Sequence, residues 1–556
     1  MAVKSGKGNS GKASKATSEK KHVQETFSIA DIEKLRNEIV ESPKNYNKIV
    51  KLQTLLEKSI KDVDSLTSSS GLKVHRSLLF NLTKIYLYLV SKKILKVQKT
   101  QNEKEQIVSK WLIAKYEGFQ RCIFEIWNMT NDSDKLATLK LDGLEHLMNL
   151  LKQESKYMRP SDDESYFPST TYRKIIFELL RSGVKSKILN DGTIDDYLLL
   201  EFQEYFNKYW DLKFYFFQEF PVVVKMIRDE DIEHYIAFSK LITLIKLEPL
   251  YETENKDEIT EKSIFVYRVP ENMVYSVNQL HINFEKSLIS ALNFPNLQKE
   301  EYLSILSILH KRIIPFFSDA TKLMDFLTAS YTLGIKSKDI TMSILSLNGL
   351  WELMRVYNLD YPDFYKNLYA ILTPDLLHLR EKSRFFRLLD LFMSSTHLSA
   401  SIVASFIKKL ARLSLTAPPS GIVSIIPFIY NLIKKYNHTT CMLLIHSTTT
   451  NEEDLVYEDP FDENERDPSL TNAIDSSIWE LETMINHYHP NVSSLVKIFQ
   501  QHFTKYSYNM EDFLDWNYSK LIDAEMDKKL KGEVGLEFEK WNKMFDDEGY
   551  LQDYLY

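Results

Sequence analysis

The stretch SIVASFIKKLARLSLTAPPSGIVSIIPFIYNLIKKY, residues 401–436, reads as two apolar-faced helices joined by a stiff corner. Val403, Phe406, Leu410 and Leu413 recur at intervals of three and four, the spacing that gathers side chains on one face of a helix. Thr416 to Gly421, TAPPSG, interrupts that pattern. Proline has no amide hydrogen and a fixed φ, so Pro418 and Pro419 stop the first helix, and Ser420 is placed to serve the start of the next. The apolar run from Gly421 to Ile433 is broken by Ser424, Pro427 and Asn431 and is shorter than the roughly 18 residues that a membrane span needs. No membrane segment is expected.

The same rhythm extends upstream. Ile344, Leu347, Leu350, Trp351 and Met354 form one stripe, Phe364, Leu368, Tyr369 and Leu372 another, and Ile305, Leu309, Ile313 and Phe316 open this half. Nearer the start, Ile32, Leu35 and Ile39, then Leu78, Leu82, Ile85 and Leu89, repeat it across the turn cluster at Ser65–Gly71. Helices of about 15 residues, paired over about 40, have the period of HEAT or armadillo stacking. Only 14 glycines and 16 prolines occur in 556 residues, too few for the turns of an all-β chain. The expected fold is therefore all-α, a HEAT/armadillo-like helical-repeat solenoid. Its expected parts are a disordered Lys-rich tail at 1–25, N-terminal repeats at 26–300, C-terminal repeats at 301–505 and a helical extension at 506–556.

Composition narrows the function classes. A net charge of −7 argues against a chain built as a whole to bind nucleic acid, although the tail carries Lys4, Lys7, Lys12, Lys15, Lys20 and Lys21 and offers salt-sensitive RNA contact. Cys122 and Cys441 are too few and too far apart for a disulfide framework or a zinc site, which fits a reducing compartment. The first residues contain no apolar core of a signal peptide, so a soluble intracellular protein is expected. Gly6–Lys12, GKGNSGK, has the spacing of a phosphate-binding loop. Ala13 stands where the magnesium-binding hydroxyl belongs, however, and no buried strand precedes it.

Two further segments suggest chemistry. YFNKYWDLKFYFFQEF, Tyr205–Phe220, puts Phe206, Trp210, Phe214 and Phe217 on one helical stripe, with Lys208 and Lys213 between them. Stacking on single-stranded RNA is one reading, and core packing of rings that bury so much area is the stronger one. In DPSLTNAIDSSIWELETMINHYHPNVSSLVKIF, Asp467–Phe499, Ser476 or Ser477 is expected to cap a helix with the buried stripe Ile478, Leu481 and Ile485, beside Trp479 and Glu480. His487, Tyr488 and Pro490 then turn the chain into the next helix. His487 and His489 are two apart, on different faces and without a nearby cysteine, so helix-end hydrogen bonding suits them better than zinc. Before this stretch lies an acidic loop, about 446–472, in which Tyr457 and Phe461 are candidate partner contacts. Phe538, Trp541 and Phe545 form a third candidate surface near the C-terminus.

Taken in order, DYPDFY (with Tyr361, Pro362, Phe364 and Tyr365), FFRLLD (after Arg384, with Leu389 and Asp390), SSTHL, FIKKLARLSL, APPSG, SSIWEL and HYHP resemble the nucleolar-complex and CCAAT-binding-factor domain family. The likeness spans most of residues 340–500. It implies a nucleolar, nuclear assembly factor without enzymatic activity, cofactor, metal or small-molecule substrate. It also implies a place in the small-subunit processome, with a tight complex with the large protein called nucleolar protein fourteen, contacts to other processome proteins and possible contact with pre-ribosomal RNA. The alternatives are a direct RNA-binding ribosome-assembly protein and a helical-repeat nuclear transport adaptor.

Overall fold

The computed structural model describes residues 28–61, 69–96, 103–129, 134–160, 164–182, 195–230, 234–247, 250, 264–294, 297–357, 363–395, 398–436 and 459–529. The Lys-rich tail with its Gly6–Lys12 motif, Cys441, Tyr361, Pro362, Tyr457, Phe538, Trp541 and Phe545 lie outside the described residues. The fold is all-α and helical-repeat, with no strand among the described residues. Two compact units divide between Asp319 and Ala320.

In the first unit each helix packs mainly on helices close to it in the chain. Ile29–Glu41 and Lys48–Lys61 rest on Ser69–Ser91, which packs on Asp134–Tyr157; further on, Ser169–Arg181 and Val277–Leu292 both pack on Trp210–Asp229. Such near-neighbour stacking is how a repeat chain builds one continuous core. A buried ion pair joins two of these layers. Lys240 Nζ lies 2.8 Å from Asp196 Oδ2 and also donates to the Leu179 carbonyl at 2.6 Å, at the C-terminal end of Ser169–Arg181. Asp196 accepts from the Leu198 N–H at 3.0 Å and caps the start of Tyr197–Lys208. One Lys–Asp pair thus satisfies the carbonyl end of one helix and the amide end of the next, the groups a helix leaves unpaired.

The aromatic run does not form the single helix expected of it. Tyr209 adopts an extended backbone (φ −113°, ψ 118°) and separates Tyr197–Lys208 from Trp210–Asp229. The break turns Asp211 inward, where its carboxylate accepts from the Phe265 and Val266 amides at 3.0 and 2.9 Å, and lets the Trp210 indole donate to the Val274 carbonyl at 2.8 Å. Phe206, Trp210, Phe214 and Phe217 are all buried, and Lys213 donates inward to the Leu250 carbonyl. The stripe is core, and no ring of it is presented to a base. Cys122 is buried too, and burial pushes its thiol up to about 12, so it behaves as a small hydrophobe.

The second unit opens with the hairpin Met324–Lys336 and Ile340–Tyr357 and continues through Phe364–Ile371 and Lys382–Phe392 to the pair Ala400–Ser414 and Pro419–Lys435. The corner of that last pair follows from its prolines: Pro418 is extended at the N-cap and Pro419 occupies the first helical position. Ser420 does not cap. Its hydroxyl instead accepts from Lys382 Nζ at 2.8 Å in the interior. After residue 459 the chain returns as short pieces, with helices at Trp479–Thr483, Pro490–Val496, Glu511–Leu514 and Tyr518–Met526.

Candidate partner-binding site in the C-terminal unit

The helix expected after Ser476–Ser477 is far shorter than its periodicity suggests: one α-turn, Trp479–Thr483, runs into a tight turn at Met484–Asn486. Its N-cap, Ile478, makes no side-chain cap. The serines are committed elsewhere, because the whole segment is pinned to the Ala400–Ser414 helix by charge. Lys408 Nζ, fully buried, lies 2.8 Å from Asp459 Oδ2 and 2.7 Å from Glu480 Oε1, and donates to the Ser477 carbonyl at 2.6 Å. Arg412 adds contacts at 2.9 Å to Asp459 and 3.2 Å to Glu480. Asp459 also accepts from Ser476 Oγ at 2.6 Å and from the Trp479 indole N–H at 3.0 Å. Both cations lie over the Trp479 ring, Arg412 at 4.9 Å and Lys408 at 5.4 Å from its centre.

This is a closed arrangement of two cations and two carboxylates. Burial pushes the Asp459 carboxyl up, but hydrogen bonds from Lys408, Ser476 and Trp479 outweigh it and hold the group down at about 2. At Glu480 burial wins, and its carboxyl is raised despite Lys408 and Arg412. Each carboxylate is paired with both cations, so the chemistry here is cohesion. Phe461, proposed above as a partner contact, belongs to the same lock. It is buried, its ring 5.9 Å from Lys408 Nζ, and its amide is bonded to Asp459, so the described end of the acidic loop, from residue 459 on, is stitched into its own unit.

The other motif residues divide between interior and surface. Phe364 is buried edge-on against Phe392, and the Tyr365 hydroxyl donates to the Phe392 carbonyl at 3.2 Å. Leu389 and Pro418 are buried, Pro419 is half-buried, and half-buried Arg384 has its guanidinium pKa lowered by burial. His489 Nδ1 accepts from the Asn491 amide and caps Pro490–Val496, with Pro490 at its first position, while His487 Nδ1 accepts from the His489 amide. Asp390 is exposed and lines a groove of about 1070 Å³ with Arg387, Asn431 and Lys434. Tyr488 is 79% exposed and leans on the His487 ring at 4.3 Å. Among the described residues no group of three or more His, Cys, Asp or Glu is placed to hold a metal, and no helix is long and apolar enough to cross a membrane.

Sequence reasoning missed Lys408, Arg412 and Asp459. The available signal was Ala404, Lys408 and Ala411, which share one helical face beside the apolar stripe: two small residues flanking a lysine mark a face that another segment approaches closely.

Residues 343–496, which contain the whole of this lock, match the CBF/Mak21 family. Residues 19–234 match a family described as nucleolar complex protein 4-like, TPR repeats. The chain is 41% identical to Nucleolar complex protein 4 of Saccharomyces cerevisiae, over 91% of this chain and 93% of that protein. The chain belongs to the nucleolar complex protein 4 family. Proteins of Gallus gallus, 35% identical over 78% of this chain, and Homo sapiens, 33% identical over 72%, are each named Nucleolar complex protein 4 homolog. Membership makes the chain a nucleolar factor of ribosome biogenesis. Within the family's C-terminal region, the lock built from Lys408 supplies rigidity, and the exposed Tyr488 and the groove at Asp390 supply surface.

Proposed function

We propose that this chain is a non-enzymatic scaffold of the small-subunit processome. Its C-terminal unit binds a large nucleolar partner of the nucleolar protein fourteen type, and the assembly supports pre-ribosomal RNA processing and small-subunit maturation and export. The observation that carries this reading is the character of the family region: its buried charged residues are spent on holding short segments to one another, and what it offers outward is a shaped surface. Surface presentation by packed helices is a means of binding proteins. The test is affinity purification of the tagged full chain from nuclear extract. Recovery of nucleolar protein fourteen with other processome proteins is expected. Recovery of large-subunit assembly factors or of transport receptors with their cargo, without processome proteins, would sink it.

A further inference from the structure

The segment from Phe503 to Leu514 lies along the Pro419–Lys435 helix and is held through its own main chain. Lys434 Nζ donates to the Phe503 carbonyl at 2.8 Å and the Tyr430 hydroxyl to the Lys505 carbonyl at 2.9 Å. Asn431 reads both sides of one residue: its Nδ2 donates to the Tyr508 carbonyl at 2.8 Å and its Oδ1 accepts the Tyr508 N–H at 2.7 Å. Ser424 Oγ donates to the Phe513 carbonyl at 3.0 Å. Helix numbers broadly fall as segment numbers rise, so the segment runs antiparallel to the helix.

The bonds to residues 503–508 suit a non-helical peptide of any sequence, because carbonyls and amides are common to every residue, and the bond to Phe513 meets the short helix Glu511–Leu514. Selectivity comes from two features. The rings of Phe503 and Tyr508 pack on Tyr430, 4.6 and 4.9 Å away, and Glu511 makes a two-point contact with Arg387 at 2.8 and 2.6 Å. The helix also packs on Ala400–Ser414 and Pro490–Val496. Its apolar residues from Ile422 to Ile433 are buried in the unit, whereas residues 501–509 form no helix, only Phe503 and Tyr508 among them are even half-buried, and Tyr506 is 89% exposed.

We infer that the face formed by Tyr430, Asn431, Lys434 and Arg387 is a docking site for a peptide that is non-helical over its first part and ends in a helical turn, occupied in cis by residues 503–514 and exchangeable for a partner's segment of the same chemistry. That segment carries two aromatic residues five positions apart and a carboxylate three further on, the spacing of Phe503, Tyr508 and Glu511. The site is independent of which nucleolar protein supplies the peptide. Tethering gives the cis segment a high effective concentration, so an incoming peptide binds weakly until the tethered one is loosened.

The test uses the full chain and a fluorescent synthetic peptide with the sequence of residues 501–516. Phe503→Ala with Tyr508→Ala, which alters the tethered segment alone, is expected to tighten peptide binding about tenfold over the unaltered chain. Adding Asn431→Ala should remove that gain. Equal or undetectable binding to all three proteins overturns the inference. Hydrogen exchange on the unaltered chain is the second measurement. The Tyr508 amide should exchange by local opening well before the amides of Ile422–Ile433, and exchange together with them also overturns it.

Discussion

Lys408 Nζ lies 2.7 Å from Glu480 Oε1, and neither side chain reaches solvent. The two residues are 72 positions apart in the chain, and their meeting fixes Trp479–Thr483 against Ala400–Ser414. A buried pair contributes little net stability over apolar residues of the same shape, but it is costly to break, because the survivor is left charged and dry. Here one lysine serves two carboxylates, so its loss leaves two buried negative charges to Arg412 alone.

Lys408→Met should therefore destabilise the C-terminal unit by about 3–5 kcal/mol, even though methionine fills much of the same volume. Adding Glu480→Gln should recover part of the loss by removing the stranded charge. Denaturant unfolding of the single and double variants, followed by hydrogen exchange in Ala400–Ser414, checks both. Equal loss in the two variants would show that Lys408 acts through its packing alone.

Trp479 separates two contributions. Its ring lies under Arg412 and Lys408, and its indole N–H reaches Asp459. Trp479→Phe keeps the ring and loses one hydrogen bond, a cost of about 1 kcal/mol. Trp479→Ala loses both. The side chain is only half-buried, so about 2–3 kcal/mol is expected, below the range for a full core truncation. Partner capture by Trp479→Ala should fall with its melting temperature, and a variant that melts normally yet binds nothing would contradict a packing role.

The contrast between the two units shows what the pattern of residues could reveal. The Val403, Phe406, Leu410 and Leu413 stripe and the Pro418–Pro419 corner were legible because helix period and proline geometry are local properties. The break at Tyr209 and the shortness of Trp479–Thr483 were not. In each case an acidic residue, Asp211 or Asp459, has partners far along the chain that outweigh local helix preference. Phe461 was misplaced for the same reason: an acidic neighbourhood reads as solvated until the cations that neutralise it are located.

Gly334 tests close approach against propensity. It lies in Met324–Lys336, where alanine would ordinarily stabilise a helix by about 1 kcal/mol. A Cβ there would meet Ser343 Oγ at 2.5 Å, the Ser343 amide nitrogen at 3.0 Å and the Asp339 carbonyl at 3.1 Å. The hydroxyl can rotate away, but the two main-chain atoms of the hairpin cannot. Overpacking of this kind costs about 1–3 kcal/mol, so Gly334→Ala should be neutral to destabilising by about 2 kcal/mol. A rise in melting temperature would show that the hairpin opens easily.

His75 gives the first unit a pH dependence whose sign can be worked out. The ring is buried between helices, Nδ1 is 2.7 Å from Ser59 Oγ, and Nε2 has no hydrogen-bond partner among the described residues. Protonation would place a second N–H where nothing accepts it, and burial accordingly lowers the imidazole pKa from 6.5 to about 4. Because the folded value is the lower one, the unfolded chain takes up the proton first as pH falls. Stability is fully present above about 6.5 and is lost as pH drops towards about 4, with a loss from this group on the order of 2 kcal/mol between pH 7 and pH 5. His75→Gln cannot titrate, so it should lower stability at pH 7 and flatten the dependence between pH 7 and pH 5. Hydrogen exchange in Ser69–Ser91 at the two pH values measures the slope. An unchanged slope in the variant would mean that His75 is charged in the folded chain and that an unseen acceptor faces Nε2.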